Sequence, residues 1–150
     1  MELTTYFLFI SKEEQPRFLG YINENNKRQG FGIFWYASYS YYSYYTGDWK
    51  DDKKDGKGTV YWKTKQYFVG DFEANDMQGN GTKISRSGNV YVGQFHHGEY
   101  HGQGQYIYSS GSIYIGDFAD GLFKGWGTYT IGETSENAGD YYIGEFANDM

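Results

Sequence analysis

Along residues 91–118, "YVGQFHHGEYHGQGQYIYSSGSIYIGDF", large apolar residues alternate with small or polar ones. A period of two marks extended chain, because successive side chains of a strand point to opposite faces. Alternating runs separated by short segments such as "HHGEYH" and "ADGLFK" read as β-hairpins. The unit repeats. An aromatic-x-Gly-x-aromatic element occurs as Tyr45, Gly47, Trp49; Phe68, Gly70, Phe72; Tyr91, Gly93, Phe95; Tyr114, Gly116, Phe118; and Tyr142, Gly144, Phe146. The first four begin 23 residues apart, and the step of 28 to Tyr142 places five extra residues around "GETSENAGD". A looser copy starts at Phe18 with Gly20 and Ile22, and the Tyr/Ser-rich insertion "YASYSYYSYY" follows it.

Each element is followed at near-constant distance by a Gly-x-Gly pair: Gly30 and Gly32, Gly56 and Gly58, Gly79 and Gly81, Gly102 and Gly104, Gly125 and Gly127. Glycine weakens a strand, so its regular use needs a reason. Alternation places Tyr91, Gly93 and Phe95 on one face, and Gly102, Gly104, Tyr106 and Tyr108 likewise share a face. The expectation is that a ring of one hairpin lies over the glycine backbone of a neighbouring hairpin, where any Cβ would obstruct it.

Composition supports strands over helices. The 150 residues include 18 Tyr, 11 Phe, 4 Trp and 22 Gly. Leucine, by contrast, occurs only at Leu3, Leu8, Leu19 and Leu122. Aromatic residues suit a pleated sheet surface, whereas each glycine costs a helix interior about 1 kcal/mol. No cysteine is present, so disulfide and thiol chemistry are excluded. The longest apolar run, "LTTYFLFI" at residues 3–10, is far shorter than a membrane span of about 18 residues. Glu2 stands where a secretory leader would carry positive charge, which points to a cytoplasmic protein. Net charge is −6, and residues 76–150 hold all the excess, with Lys83, Arg86 and Lys124 against nine acids. That balance disfavours nucleic acid and anionic membrane as partners.

The segments "YVGQFHHGEYHGQGQYIYSSG" and "YIGDFADGLFKGWGTYTIG" resemble MORN repeats, with Y-x-G-x-W/F, a glycine three residues on, then G-x-G and an aromatic. The resemblance covers residues 18–150, in copies starting near 18, 45, 68, 91 and 114 and an incomplete one at 142; residues 1–17 form an N-terminal cap segment. It implies an all-β, single-layer, twisted antiparallel β-solenoid of successive hairpins, about 60 Å long for six copies. Departures occur where the loop glycine of Gly98 and Gly121 becomes Asp52, Asn75 or Asp149, residues that tolerate a left-handed turn. The aromatic after Gly-x-Gly becomes Val60 or Lys83.

No catalytic, metal or cofactor site emerges. "DDKKDGKGT" has Asp51 where a phosphate-binding loop needs glycine, and Gly58 follows Lys57 where Ser or Thr is required. As a calcium loop it has Lys53 at a ligand position and Trp62 in place of the final Glu. Strand-like residues follow the Gly-x-Gly pairs, so a dinucleotide fingerprint is absent. His96, His97 and His101 cluster on one hairpin; His97 and His101 could meet across the turn, but a solvated loop or contact surface is the better reading.

Partner-binding candidates lie in three places. In residues 36–46, odd spacing puts Tyr39, Tyr41 and Tyr45 on one strand face and Tyr42 and Tyr44 on the other, so one set of rings meets solvent or a partner. In "LTTYFLFI", Phe7 and Phe9 belong to a strand that caps the array or pairs with a protein, followed by a Ser-x-x-Glu capping box in "SKEE". At Tyr142 and Phe146 the sequence stops before the last copy's returning strand, so it is either a piece of a longer array or, as the expectation here, half a site for strand pairing in trans. The resemblance implies a non-catalytic scaffold or adaptor binding other proteins in a cytoskeletal or ciliary assembly. The alternatives it leaves are a phosphoinositide-binding membrane adaptor, with Lys50, Lys53, Lys54 and Lys57 as its basic cluster, or the repeat region of an enzyme such as a lysine methyltransferase.

Overall fold

The computed structural model describes residues 15–133 and 135–147. Eleven strands in chain order form one open antiparallel sheet, a single layer of stacked hairpins. They are β1 (Arg17–Ile22), β2 (Arg28–Trp35), β3 (Tyr42–Lys50), β4 (Lys53–Trp62), β5 (Tyr67–Glu73), β6 (Asp76–Ile84), β7 (Val90–His96), β8 (Glu99–Ile107), β9 (Ile113–Ala119), β10 (Leu122–Thr130) and β11 (Tyr141–Ala147). Two compact units divide the chain after Asp76, the first holding β1–β5 and the second β6–β11.

In the first unit the register sets Gly20, Gly32, Gly47, Gly58 and Gly70 side by side across five strands. The second unit repeats this with Gly81, Gly93, Gly104, Gly116, Gly127 and Gly144. Tyr91 lies flat over two members of its row: a Cβ on Gly93 would stand 2.5 Å from the Tyr91 Oη, and one on Gly104 would stand 2.6 Å from it. Tyr114 covers Gly116 and Gly127 in the same way, Tyr45 covers Gly47 and Gly58, and Phe18 covers Gly20 and Gly32. The expected ring-over-glycine packing is therefore present, but within a hairpin: each ring covers the glycine two residues ahead and that glycine's partner on the returning strand. The reason is reach, because a tyrosine leaning along its own strand carries its hydroxyl to the carbonyl three residues on. Tyr45 donates to Asp48 at 3.0 Å, Tyr91 to Gln94 at 2.8 Å and Tyr114 to Asp117 at 2.9 Å.

The two glycines of each pair do different work. Gly104 and Gly127 lie under rings, whereas Gly102 and Gly125 adopt the left-handed conformation, at φ 57° and 74°. Here the returning strand has two residues more than its partner, since Gly93 pairs with Gly104 but Gln94 pairs with His101. This bulge overturns the shared face expected for Gly102 and Gly104. Its free N–H is satisfied across the hairpin by the residue between Gly and Phe of the first strand: Asp117 Oδ2 accepts from the Trp126 N–H at 3.0 Å, Asp48 Oδ2 from Lys57 at 3.0 Å, and Gln94 Oε1 from Gln103 at 3.1 Å.

The core is a chain of edge-to-face rings on the face that carries these tyrosines, called here the ring face. Tyr45 meets Trp49 at 5.0 Å and Phe72 at 5.2 Å; Tyr114 meets Phe118 at 5.2 Å and Phe146 at 4.8 Å. Tyr45, Phe68, Tyr91 and Tyr114 are fully buried. Burying each ring contributes about 1.5–3 kcal/mol, with about 0.5–1.5 more from ring geometry. Left-handed pairs close the hairpins at Asp51–Asp52, Ala74–Asn75, His97–Gly98 and Asp120–Gly121. Asp52, Asn75, Gly98 and Gly121 thus stand at equivalent turn positions; Asp149 lies outside the described residues.

Candidate binding site

The turn tips fix one further position per repeat. The second residue of each turn donates its N–H to the carbonyl of the strand residue two places before the Gly-x-Gly pair: Asp52 to Arg28, Asn75 to Lys54, Gly98 to Met77 and Gly121 to Tyr100. Side chains at this position lie over the ring face, and they differ between units. In the second unit Tyr100 stacks on Tyr91 with centroids 4.0 Å apart, and Phe123 on Tyr114 at 3.9 Å. In the first unit the position holds cations.

Arg28 lies over Trp49 at 4.2 Å and over Phe34 at 4.7 Å. Its Nε donates to Asp52 Oδ1 at 2.9 Å, its Nη2 to the Asp52 carbonyl at 3.0 Å, and its backbone N–H to the same Oδ1 at 2.9 Å. The backbone N–H and then the guanidinium hold the Asp52 carboxyl below the usual range. Lys54 Nζ stands 5.4–5.6 Å from the rings of Tyr42, Tyr45 and Phe72. Burial pulls its ammonium below the usual lysine range; Asp76 opposes the shift and Arg28 adds to it. Arg28, Asp52 and Lys54, with Phe34, Tyr36, Trp49 and Asn75, line a cavity of about 320 Å³ on the ring face. Burial pushes the Tyr36 phenol up, and Tyr42 adds to that.

The far face of the first unit carries a second aromatic feature. Paired positions bring Trp35, Tyr44, Tyr61 and Tyr67 into a row across β2–β5. Tyr44 stacks on Tyr61 at 4.4 Å, and Tyr61 on Tyr67 at 5.6 Å. The equivalent row in the second unit is aliphatic, with Ile84, Val90, Ile107 and Ile113.

The expected sites separate as follows. Tyr45 and Phe146 are buried core residues, at 0% and 5% exposure, and so are not contact residues. Tyr39 and Tyr41 lie in the connection before β3 and are exposed, so they occupy no strand face. Tyr42 and Tyr44 lie on opposite faces rather than together, because β3 has one extra residue at Ser43 that reverses the alternation. Tyr142 is half exposed on β11, while Phe7, Phe9 and the "SKEE" turn lie outside the described residues. The ring of His96 stands 4.3 Å from that of His97 and 5.4 Å from that of His101. No group of three His, Asp or Glu among the described residues is arranged to hold a metal. The cavity was missed by sequence reasoning, although aligned copies carry Arg28, Lys54, Met77, Tyr100 and Phe123 at one register position.

A single-layer sheet of hairpins whose rows of strand glycines are covered by rings defines a β-hairpin repeat protein. The MORN repeat model matches five times, at residues 24–41, 45–66, 68–90, 91–113 and 114–132, and the chain belongs to the MORN repeat family. Repeats of this family commonly serve as interaction modules toward proteins or membrane lipids and are generally non-catalytic. No curated protein matches the chain.

Proposed function

We propose that this protein is a non-catalytic scaffold or adaptor that binds other proteins within a larger cytoplasmic assembly of cytoskeletal or ciliary character. The observation that supports this reading is the far-face row of Trp35, Tyr44, Tyr61 and Tyr67, part-exposed and with its three tyrosines stacked, in a unit that also displays Tyr39 and Tyr41. Stacked tyrosines offer large contact area at little cost in side-chain freedom, as binding surfaces require. The lipid reading is weaker. Of its basic cluster Lys50, Lys53 and Lys57 are exposed, but Lys57 pairs with Asp71, and Lys54 lies over the ring face.

The test is co-purification of the full chain and its Tyr61→Ser variant from the native source, with circular dichroism confirming that the variant folds. A protein partner recovered in stoichiometric amount with the native chain and lost with the variant supports the scaffold. Binding to anionic vesicles that falls with salt, with no protein partner, would replace it by the membrane reading.

A further inference from the structure

The ring-face cavity has an asymmetry of charge that suits one class of ligand. Arg28 is already engaged, since Asp52 accepts from its Nε and its Nη2. Lys54 is not. Its backbone N–H donates to Asn75 Oδ1 at 2.9 Å, but its Nζ makes no hydrogen bond or ion pair among the described residues and stands among rings. The Asn75 amide, whose oxygen takes that N–H, has its NH₂ group uncommitted beside the cavity. An ammonium partly removed from water with no partner is costly, and the cavity concentrates that cost at one wall. Asp76 acts on Lys54 electrostatically and opposes the effect of burial.

We propose that this cavity is a receptor for one acidic side chain, aspartate or glutamate, presented by a protein partner: its carboxylate meets Lys54 Nζ and the Asn75 amide, and its stem packs on Phe34, Tyr36 and Trp49. The charge count favours a carboxylate over a phosphate. Arg28 and Lys54 stand against Asp52 at the cavity and Asp76, which acts on Lys54, so a phosphate dianion would meet two carboxylates with twice the charge that a carboxylate monoanion brings. The corresponding positions of the second unit carry no cation, because they hold Met77, Tyr100 and Phe123, and the last two are stacked on the rings beneath them. The proposal rests on the protein-binding function above and names the chemistry of the partner.

The test uses the intact protein as target for a phage-displayed library of random twelve-residue peptides. Selected peptides are expected to share an Asp or Glu at one position, whose replacement by Asn or Gln weakens binding about ten-fold or more. The Lys54→Met variant, which removes a desolvated charge and keeps the apolar stem, should lose binding to the acidic peptide by a similar factor and should not distinguish it from the amide peptide. Asn75→Asp keeps the turn and the acceptor for the Lys54 N–H, places a carboxylate beside Lys54, and should weaken the acidic peptide to the same degree. Peptides that bind with no acidic requirement, or equally well to both variants, would overturn this site and leave the scaffold standing. Displacement of the acidic peptide by millimolar inorganic phosphate, or Lys54-dependent capture of anionic vesicles, would overturn it in favour of a phosphate receptor. Failure to select any peptide would overturn the site together with the protein-binding function.

Discussion

The two units share a backbone plan and differ in what covers it. In the second, Tyr100 and Phe123 lie flat against Tyr91 and Tyr114, so ring stacks on ring and the face is filled. In the first, Arg28 and Lys54 take the same register position, their charges cannot fill the space, and a cavity floored by Phe34 and Trp49 is left. Glycine rows, bulges and turn-tip bonds occur in both. The contrast separates residues that make the sheet from one residue per repeat that decides what the sheet presents, and it also makes the interaction surface of a repeat protein adjustable without disturbing its frame.

The comparison breaks most visibly if the shared frame is not shared. Tyr45→Ala and Tyr114→Ala each remove a fully buried ring over two glycines, and each should cost about 4 kcal/mol in urea unfolding. A large inequality between the two would mean that the frame differs between units. Exchanging the variable position comes next. Phe123→Lys should lose about 2 kcal/mol, because a stacked ring is replaced by a cation over Tyr114. The reverse change, Lys54→Phe, should gain about 1 kcal/mol by removing a desolvated charge and adding a stack on Tyr45, and should abolish acidic-peptide binding.

Smaller effects sharpen the picture at the turns. Ala74 holds φ 49°, in the left-handed region that alanine disfavours, so Ala74→Gly should stabilise the first unit by about 0.5–1 kcal/mol. Asp52→Asn should weaken it by only a few tenths at neutral pH, since the Asp52 side chain is 45% exposed and its pairing with Arg28 is screened. The carboxyl is held below its ordinary range, so its contribution is present above the unfolded carboxylate range and is lost as pH falls through the folded value. Urea curves of the native and variant proteins should therefore converge in acid.

Strand identity, hairpin pairing and the ring-over-glycine principle were legible because alternation and the 23-residue period act locally and recur. The ten-residue connection 131–140, where 108–112 has five, was legible for the same reason. The bulges were not. A bulge of two residues leaves the alternation in phase, so Gly102 and Gly104 look equivalent although one is left-handed and the other lies under a ring. A bulge of one residue, at Ser43, reverses the phase and misplaced Tyr42. The cavity was hidden further, because Arg28, Trp49 and Asn75 meet only through strand register, and a lysine among aspartates reads as solvated surface until its face is known.

The central claim, that bare backbone exists to receive the ring of its own hairpin, is tested most directly by a double-mutant cycle on Tyr142 and Gly144. A Cβ on Gly144 would stand 2.5 Å from Tyr142 Cζ, and Tyr142 is half exposed, so both single variants should fold. Gly144→Ala should cost about 2 kcal/mol beside the native tyrosine and under about 0.5 kcal/mol in Tyr142→Ala, a coupling above 1 kcal/mol by urea unfolding. Equal costs in the two backgrounds would show that the glycine answers to the backbone alone and not to the ring.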